Sequence, residues 1–133
     1  MTLDSSALLA VLFSEAGCLA LVDKMLEAEV LRIGAPTLVE TNLVFESRLG
    51  RRQTDAKRHD AVHELVKELA ITVVPFAEPE WYRAVEAFAK FGRGRHKAGL
   101  NFGDCLAYAT ASVAGDALLF VGDDFSHTDV LVA

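Results

Sequence analysis

The sequence predicts an α/β protein, a three-layer α/β/α sandwich around a central parallel sheet. Short apolar, β-branched or leucine-rich runs at residues 2–4, 30–34, 71–74 and 117–121 alternate with longer segments of helical periodicity. A helical crossover between successive strands pairs them in parallel and lays helices against the sheet. At 133 residues, 52% hydrophobic and 24% charged, the chain can bury a core without disulfide or metal staples. It carries no repeat, low-complexity tract or linker, so residues 1–133 read as one domain.

Each element has a local reason. The first run leads into helices over 6–13 and 17–28. After the second run, the fixed φ of Pro36 suits the first turn of a helix reaching Arg48, and Gly50 closes it. Residues 54–69 read as a charged amphipathic helix, and Pro75 ends the strand at 71–74. Residues 78–91 are helical, GRGRHKAG from Gly92 is a loop, and a helix over 101–114 precedes the last strand.

Composition excludes several classes. Cys18 and Cys105 lie in apolar helices far from any CxxC spacing, and read as reduced core residues of a cytoplasmic protein. No basic segment precedes the seven-residue apolar run Ala7 to Phe13, which is neither a signal peptide nor a membrane span. Net charge is −6, yet the 13 Lys and Arg cluster. Arg48, Arg51, Arg52, Lys57 and Arg58 form one basic stretch, and Arg93, Arg95 and Lys97 another. Two such patches serve equally as solvated helix ends or as local fields for phosphates.

The informative feature is a set of carboxylates in apolar surroundings: Asp4, Glu40, Asp104 and the pair Asp123–Asp124. In an open parallel sheet the binding crevice lies at the carboxyl ends of the strands. Asp4 ends the first strand and Asp123–Asp124 follow the last, so chain order brings both to one rim. Glu40 is expected to interrupt an inward apolar stripe of Val39, Leu43 and Val44. Ordinary roles remain open to each acid. Asp4 can cap the next helix, Glu40 can offset a helix dipole, Asn101 with Asp104 can form a capping box, and Asp123–Asp124 can make a turn.

Taken together, an oxygen-only set favours a hard cation, Mg²⁺ or Mn²⁺, over zinc. Such a centre lowers the pKa of a bound water and stabilises in-line displacement at phosphorus. His59, His63, His96 and His127 read as surface residues, and no GxSxG, Walker or GxGxxG motif is present.

Four stretches, LDSSALLAVLFSE, LVETNLVFESRLG, GRGRHKAGLNFGDCLAYATA and LLFVGDDFSHTDV, resemble PIN-domain ribonucleases, in particular VapC-type toxins of bacterial toxin–antitoxin pairs. They span the chain in the family's order. The resemblance implies a Mg²⁺- or Mn²⁺-dependent endoribonuclease, homodimeric and neutralised by a cognate antitoxin. It matches Asp4, Glu40 and Asp104 to the first three family acids and Asp124 to the fourth, with Asp123 able to substitute or assist. Ser6 matches the hydroxyl residue near the metal, and Asn101 the polar residue before the third acid. Arg51, Arg52, Arg93, Arg95 and Lys97 are the candidates for steering the RNA backbone. Val121 stands where similar toxins often carry Lys. Two other classes remain beside the nuclease: a non-catalytic acidic pocket that receives a basic peptide, and a Mg²⁺-dependent phosphatase, for which Asp4-Ser5-Ser6 lacks the D-x-D pattern.

Overall fold

A computed structural model of the chain describes residues 1–50 and 60–133. Among these residues, strands β1 (Thr2–Leu3), β2 (Arg32–Gly34), β3 (Thr72–Val74) and β4 (Leu118–Leu119) form one sheet in the order β3–β2–β1–β4. Every neighbouring pair is parallel, with Thr2 opposite both Arg32 and Leu118, and Ile33 opposite Val73. The helices are α1 (Ser5–Leu12), α2 (Cys18–Glu27), α3 (Ala35–Leu49), α4 (Ala61–Glu68), α5 (Glu78–Phe91) and α6 (Phe102–Ala114), and a 3₁₀ turn spans Asp124–His127. They flank the sheet as the alternation of strand and helix predicts. The chain builds β1, β2 and β3 outward in one direction and then returns to lay β4 on the other side of β1. In open parallel sheets such a reversal marks where the binding crevice lies, here beyond the carboxyl ends of β1 and β4.

Two apolar clusters hold the layers. Ala107, Tyr108 and Ala111 of α6 pack with Ala87 of α5, Leu100, Leu118 and Phe125. Leu3, Ile33, Ile71 and Leu119 pack with Ala7 and Leu8 of α1 and Met25 of α2. A smaller cluster joins Leu9, Phe45 and Val62. Leu3, Leu8, Ile33, Leu100 and Leu118 are wholly buried, each contributing about 1.5–3 kcal/mol relative to exposure.

Local signals fix the helix ends. Asp4 caps α1, Pro36 lies in the first turn of α3, and Gly50 ends α3 at φ +69°. Asn101 and Asp104 form the expected capping box on α6.

Three expectations need correction. The last strand is shorter than residues 117–121, because Val121 turns its N–H to the Ser6 hydroxyl (3.0 Å) instead of to a neighbouring strand. The second begins at Arg32, two residues late. More consequentially, Val39 and Leu43 do not face inward, being 59% and 67% exposed. The inward face of α3 is Thr37, Thr41 and Phe45, with Leu38 and Val44 partly covered. Thr41 is tolerated there because its hydroxyl donates to the Thr37 carbonyl (2.9 Å). Of the helix expected over 54–69, Ala61–Glu68 is observed; residues 54–59, like Arg51 and Arg52, lie outside the described residues.

Candidate active site

Asp4 follows β1 directly, and its N–H donates to the Leu119 carbonyl of β4 (3.0 Å), which sets it between the two strands at the crevice. Only 4% of it is exposed. Its Oδ2 accepts from the Ser6 N–H (2.9 Å) and the Ser6 hydroxyl (2.5 Å). The same hydroxyl oxygen accepts from Val121 N–H, so Ser6 ties the first acid to the segment that carries the last two. Burial pushes the Asp4 carboxyl above its ordinary range; hydrogen bonds from Ser6 and Ser5 oppose this, and the nearby Asp124 charge adds to it.

Glu40 projects from α3 and is half-buried. Its Oε2 is buried and meets no hydrogen-bond partner. Burial again raises its pKa, followed by the Asp4 charge; the Ser5 hydroxyl lowers it and Asp104 raises it. Asp104 sits in the first turn of α6. Its Oδ2 accepts from Asn101 N–H (2.7 Å) while its own N–H donates to Asn101 Oδ1 (3.1 Å). Burial lifts its pKa, the Asn101 N–H opposes, Asp4 and Asp124 lift it further, and Arg93 pulls it down.

Four of the five acids therefore form one electrostatically linked set. Asp4, Glu40, Asp104 and Asp124 each act on, or feel, at least two of the others. Asp123 precedes the 3₁₀ turn without a side-chain cap bond; it is exposed, as Asp124 is, but is not among the charges named as acting on Asp4, Glu40 or Asp104. Among the described residues no ion pair reaches any of the four. A buried carboxylate in that situation is costly unless a cation arrives from outside the chain.

The donors fit a hard divalent ion. All are carboxylate oxygens, and the orphaned Glu40 Oε2 is an acceptor with no protein donor. Among the described residues, no three His, Cys, Asp or Glu side chains close into a ready-made cage. Mg²⁺ does not need one, since it keeps several waters and takes one or two carboxylates directly.

The basic candidates divide. Arg93, Arg95 and Lys97 are exposed on the turn between α5 and α6, where Arg93 N–H donates to the Leu100 carbonyl (3.0 Å). Arg93 is felt at Asp104, whereas Arg95 lies over the Phe88 ring (5.3 Å to its centroid). His63, His96 and His127 are exposed, as expected. Sequence reasoning missed two positions: Ser5, whose hydroxyl acts on Glu40, and Gly103, packed against the Glu40 carboxylate. A glycine inside a helical pattern one residue before a candidate acid was the available signal for Gly103.

Comparison with known proteins places this geometry in a family. The PIN domain family model matches residues 1–131. Over 131 residues the chain is 40% identical to ribonuclease VapC28 of Mycobacterium tuberculosis, covering 98% of this chain and 95% of that one. Ribonuclease VapC of Mycolicibacterium smegmatis is 37% identical over 133 residues, covering 98% and 97%. Among solved structures, VapC20 of M. tuberculosis, a sarcin–ricin-loop-cleaving toxin, shares the fold at TM-score 0.76 and 16% identity, over 99% of this chain and 97% of that one. The chain belongs to the PIN-domain family and, within it, to the VapC ribonucleases.

Proposed function

We propose that this protein is a VapC-type toxin, an endoribonuclease that hydrolyses RNA phosphodiester bonds with Mg²⁺ or Mn²⁺ and is neutralised by a cognate antitoxin. The carrying observation is the set of Asp4, Glu40, Asp104 and Asp124, electrostatically linked and, among the described residues, without an ion-pair partner, in a chain 40% identical to a VapC ribonuclease.

Asp4 and Asp104 are the direct metal ligands in this reading, with Glu40 and Asp124 completing the site or holding its waters. Asp123 is the accessory acid. A divalent cation bound there supplies Lewis-acid stabilisation of the phosphate and a more acidic water. Ser6 fixes the Asp4 carboxylate, and Asn101 holds Asp104 through the capping box. Arg93, whose charge acts on Asp104, draws the backbone phosphate toward the acids, while Arg95 and Lys97 extend the field along the strand. Hydrolysis by water leaves 5′-phosphate and 3′-hydroxyl ends.

The same acidic crevice suits a basic side chain of the antitoxin, which would neutralise the acids and exclude RNA. Exposed Val39 and Leu43 on α3, with Trp81, Val85 and Phe88 on α5, support self-association into a homodimer. Among the described residues no helix is long and apolar enough to cross a membrane. The reading as a toxin acting on RNA places it in the cytoplasm.

The test is cleavage of a structured RNA mixture by purified protein in Mg²⁺, Mn²⁺ or EDTA, with end-group analysis. Metal-dependent cutting that Asp4→Asn or Asp104→Asn abolishes is expected. Full metal-dependent cutting by Asp104→Asn contradicts the mechanism, and metal binding without cutting of any RNA favours the non-catalytic pocket. A monomer by light scattering at micromolar concentration would remove the homodimer.

A further inference from the structure

We propose that Gly103 is a positioning residue: the side chain it lacks leaves the space in which the Glu40 carboxylate lies. The inference rests on the metal-site reading above and deepens it. Gly103 occupies the second position of α6 and is buried. It is not among the residues with positive φ, so its backbone makes no demand for glycine. Glycine inside a helix is less favourable than alanine, because it has more freedom to lose on folding. What the position requires is room. A Cβ there would stand 2.2 Å from Glu40 Oε1, 2.6 Å from Oε2 and 2.7 Å from Cδ, and these are its three nearest atoms. All three belong to one carboxylate.

The carboxylate is also weakly held from its own side. Its Oε2 is buried without a hydrogen-bond partner, so the Ser5 hydroxyl and packing against the first turn of α6 are what keep it in place. That turn presents the positive end of the helix, which favours a negative group there. Because the carboxylate ends a flexible side chain while the first turn of α6 is fixed by the Asn101–Asp104 box, an added methyl displaces Glu40 and leaves the helix where it is. Displacement changes the place of the carboxylate relative to Asp4 and Asp104, whose charges now act on it.

The experiment compares the full-length protein with Gly103→Ala and with Gly103→Ala/Glu40→Asp. Thermal melting in EDTA, Mn²⁺ titration calorimetry and the ¹³C-carboxyl resonance of Glu40 in metal-free protein are read for each. Gly103→Ala is expected to melt at the same temperature or higher, to shift the Glu40 resonance, and to bind Mn²⁺ about ten- to a hundredfold more weakly, the range for losing support at a metal site. Shortening the acid makes room for the methyl, so the double variant is expected to bind Mn²⁺ more tightly than Gly103→Ala alone. A merely structural glycine would give a lower melting temperature with Mn²⁺ affinity intact, and that result overturns the proposal, as do strictly additive losses in the double variant. If the unsubstituted protein neither binds Mn²⁺ nor cuts RNA, the functional reading fails on its own. The metal-free resonance still decides Gly103: a shifted Glu40 carboxyl supports the placement, and an unmoved one ends it.

Discussion

The two edges of the sheet carry the same residue type in opposite states. At the amino edge, Asp116 accepts from the Thr2 hydroxyl (2.9 Å) and from the Arg32 guanidinium (3.0 and 3.1 Å). Although burial pushes its carboxyl up, these partners win and hold it below the ordinary range. At the carboxyl edge Asp4 is more deeply buried, receives only uncharged donors from Ser5 and Ser6, and lies among Glu40, Asp104 and Asp124. There burial wins and the carboxyl is raised. Asp116 is a finished structural ion pair. Among the described residues the rim acids have no ion-pair partner, although Arg93 acts on Asp104, and the cost in stability is explained if a cation completes them.

Neutralising one member of each group should give opposite results. Asp104→Asn or Asp4→Asn is expected to lower metal-dependent RNA cleavage by about a thousandfold or more, beyond the ten- to hundredfold typical of supporting residues. Asn still caps a helix. Asp4→Asn should therefore raise metal-free stability, by about 1–2 kcal/mol, through removal of a buried unpaired charge. At the other edge, Asp116→Ala leaves the wholly buried Thr2 hydroxyl without its acceptor and should destabilise by about 2 kcal/mol, with cleavage per folded molecule unchanged. Denaturant melts beside a cleavage assay separate these cases. Loss of stability in Asp4→Asn with cleavage retained would break the comparison.

The pH dependence has opposite signs at the two edges. Asp4, Glu40 and Asp104 have raised pKa values, so between the ordinary carboxylate range and those raised values the folded protein holds more protons than the unfolded one. Metal-free stability must fall as pH rises through that window and then level off. Asp116, being lowered, contributes stability above the ordinary carboxylate pKa that is lost as pH falls through its lowered value. Thermal melts in EDTA should show a midpoint that declines toward neutral pH, flattened by Asp4→Asn. Metal binding needs the ionised acids, so Mn²⁺ should stabilise more at neutral pH than in acid.

The smallest expected effect discriminates within the Asp123–Asp124 pair. Asp124 is felt at Asp4 and Asp104, whereas Asp123 is not. Asp124→Asn should impair cleavage strongly, while Asp123→Asn should change it severalfold at most. Equal losses would make the pair a joint fourth acid.

Much of this was legible in the sequence because its signals are local. Pro36, Gly50 and the Asn101–Asp104 box mark helix ends by satisfying or releasing particular backbone groups. Chain order alone sent Asp4 and Asp124 to the same rim, and the capping role of Asp104 proved compatible with its place among the acids. The face of α3 was not legible, because Thr41 satisfies its hydroxyl within its own helix and packs inside, leaving Val39 and Leu43 outside. Nor was the difference between Asp116 and Asp4. It depends on Arg32 and Thr2 standing in register on neighbouring strands, a contact between residues far apart in sequence. Gly103 was hidden for the same reason, since its neighbour lies on another helix.

Calorimetric titration of Mn²⁺ into metal-free protein at neutral pH, beside Asp104→Asn and Asp116→Asn, tests the central claim most directly. The account predicts saturable binding that Asp104→Asn removes and Asp116→Asn leaves intact. No binding by the unsubstituted protein, or binding indifferent to Asp104, would contradict it.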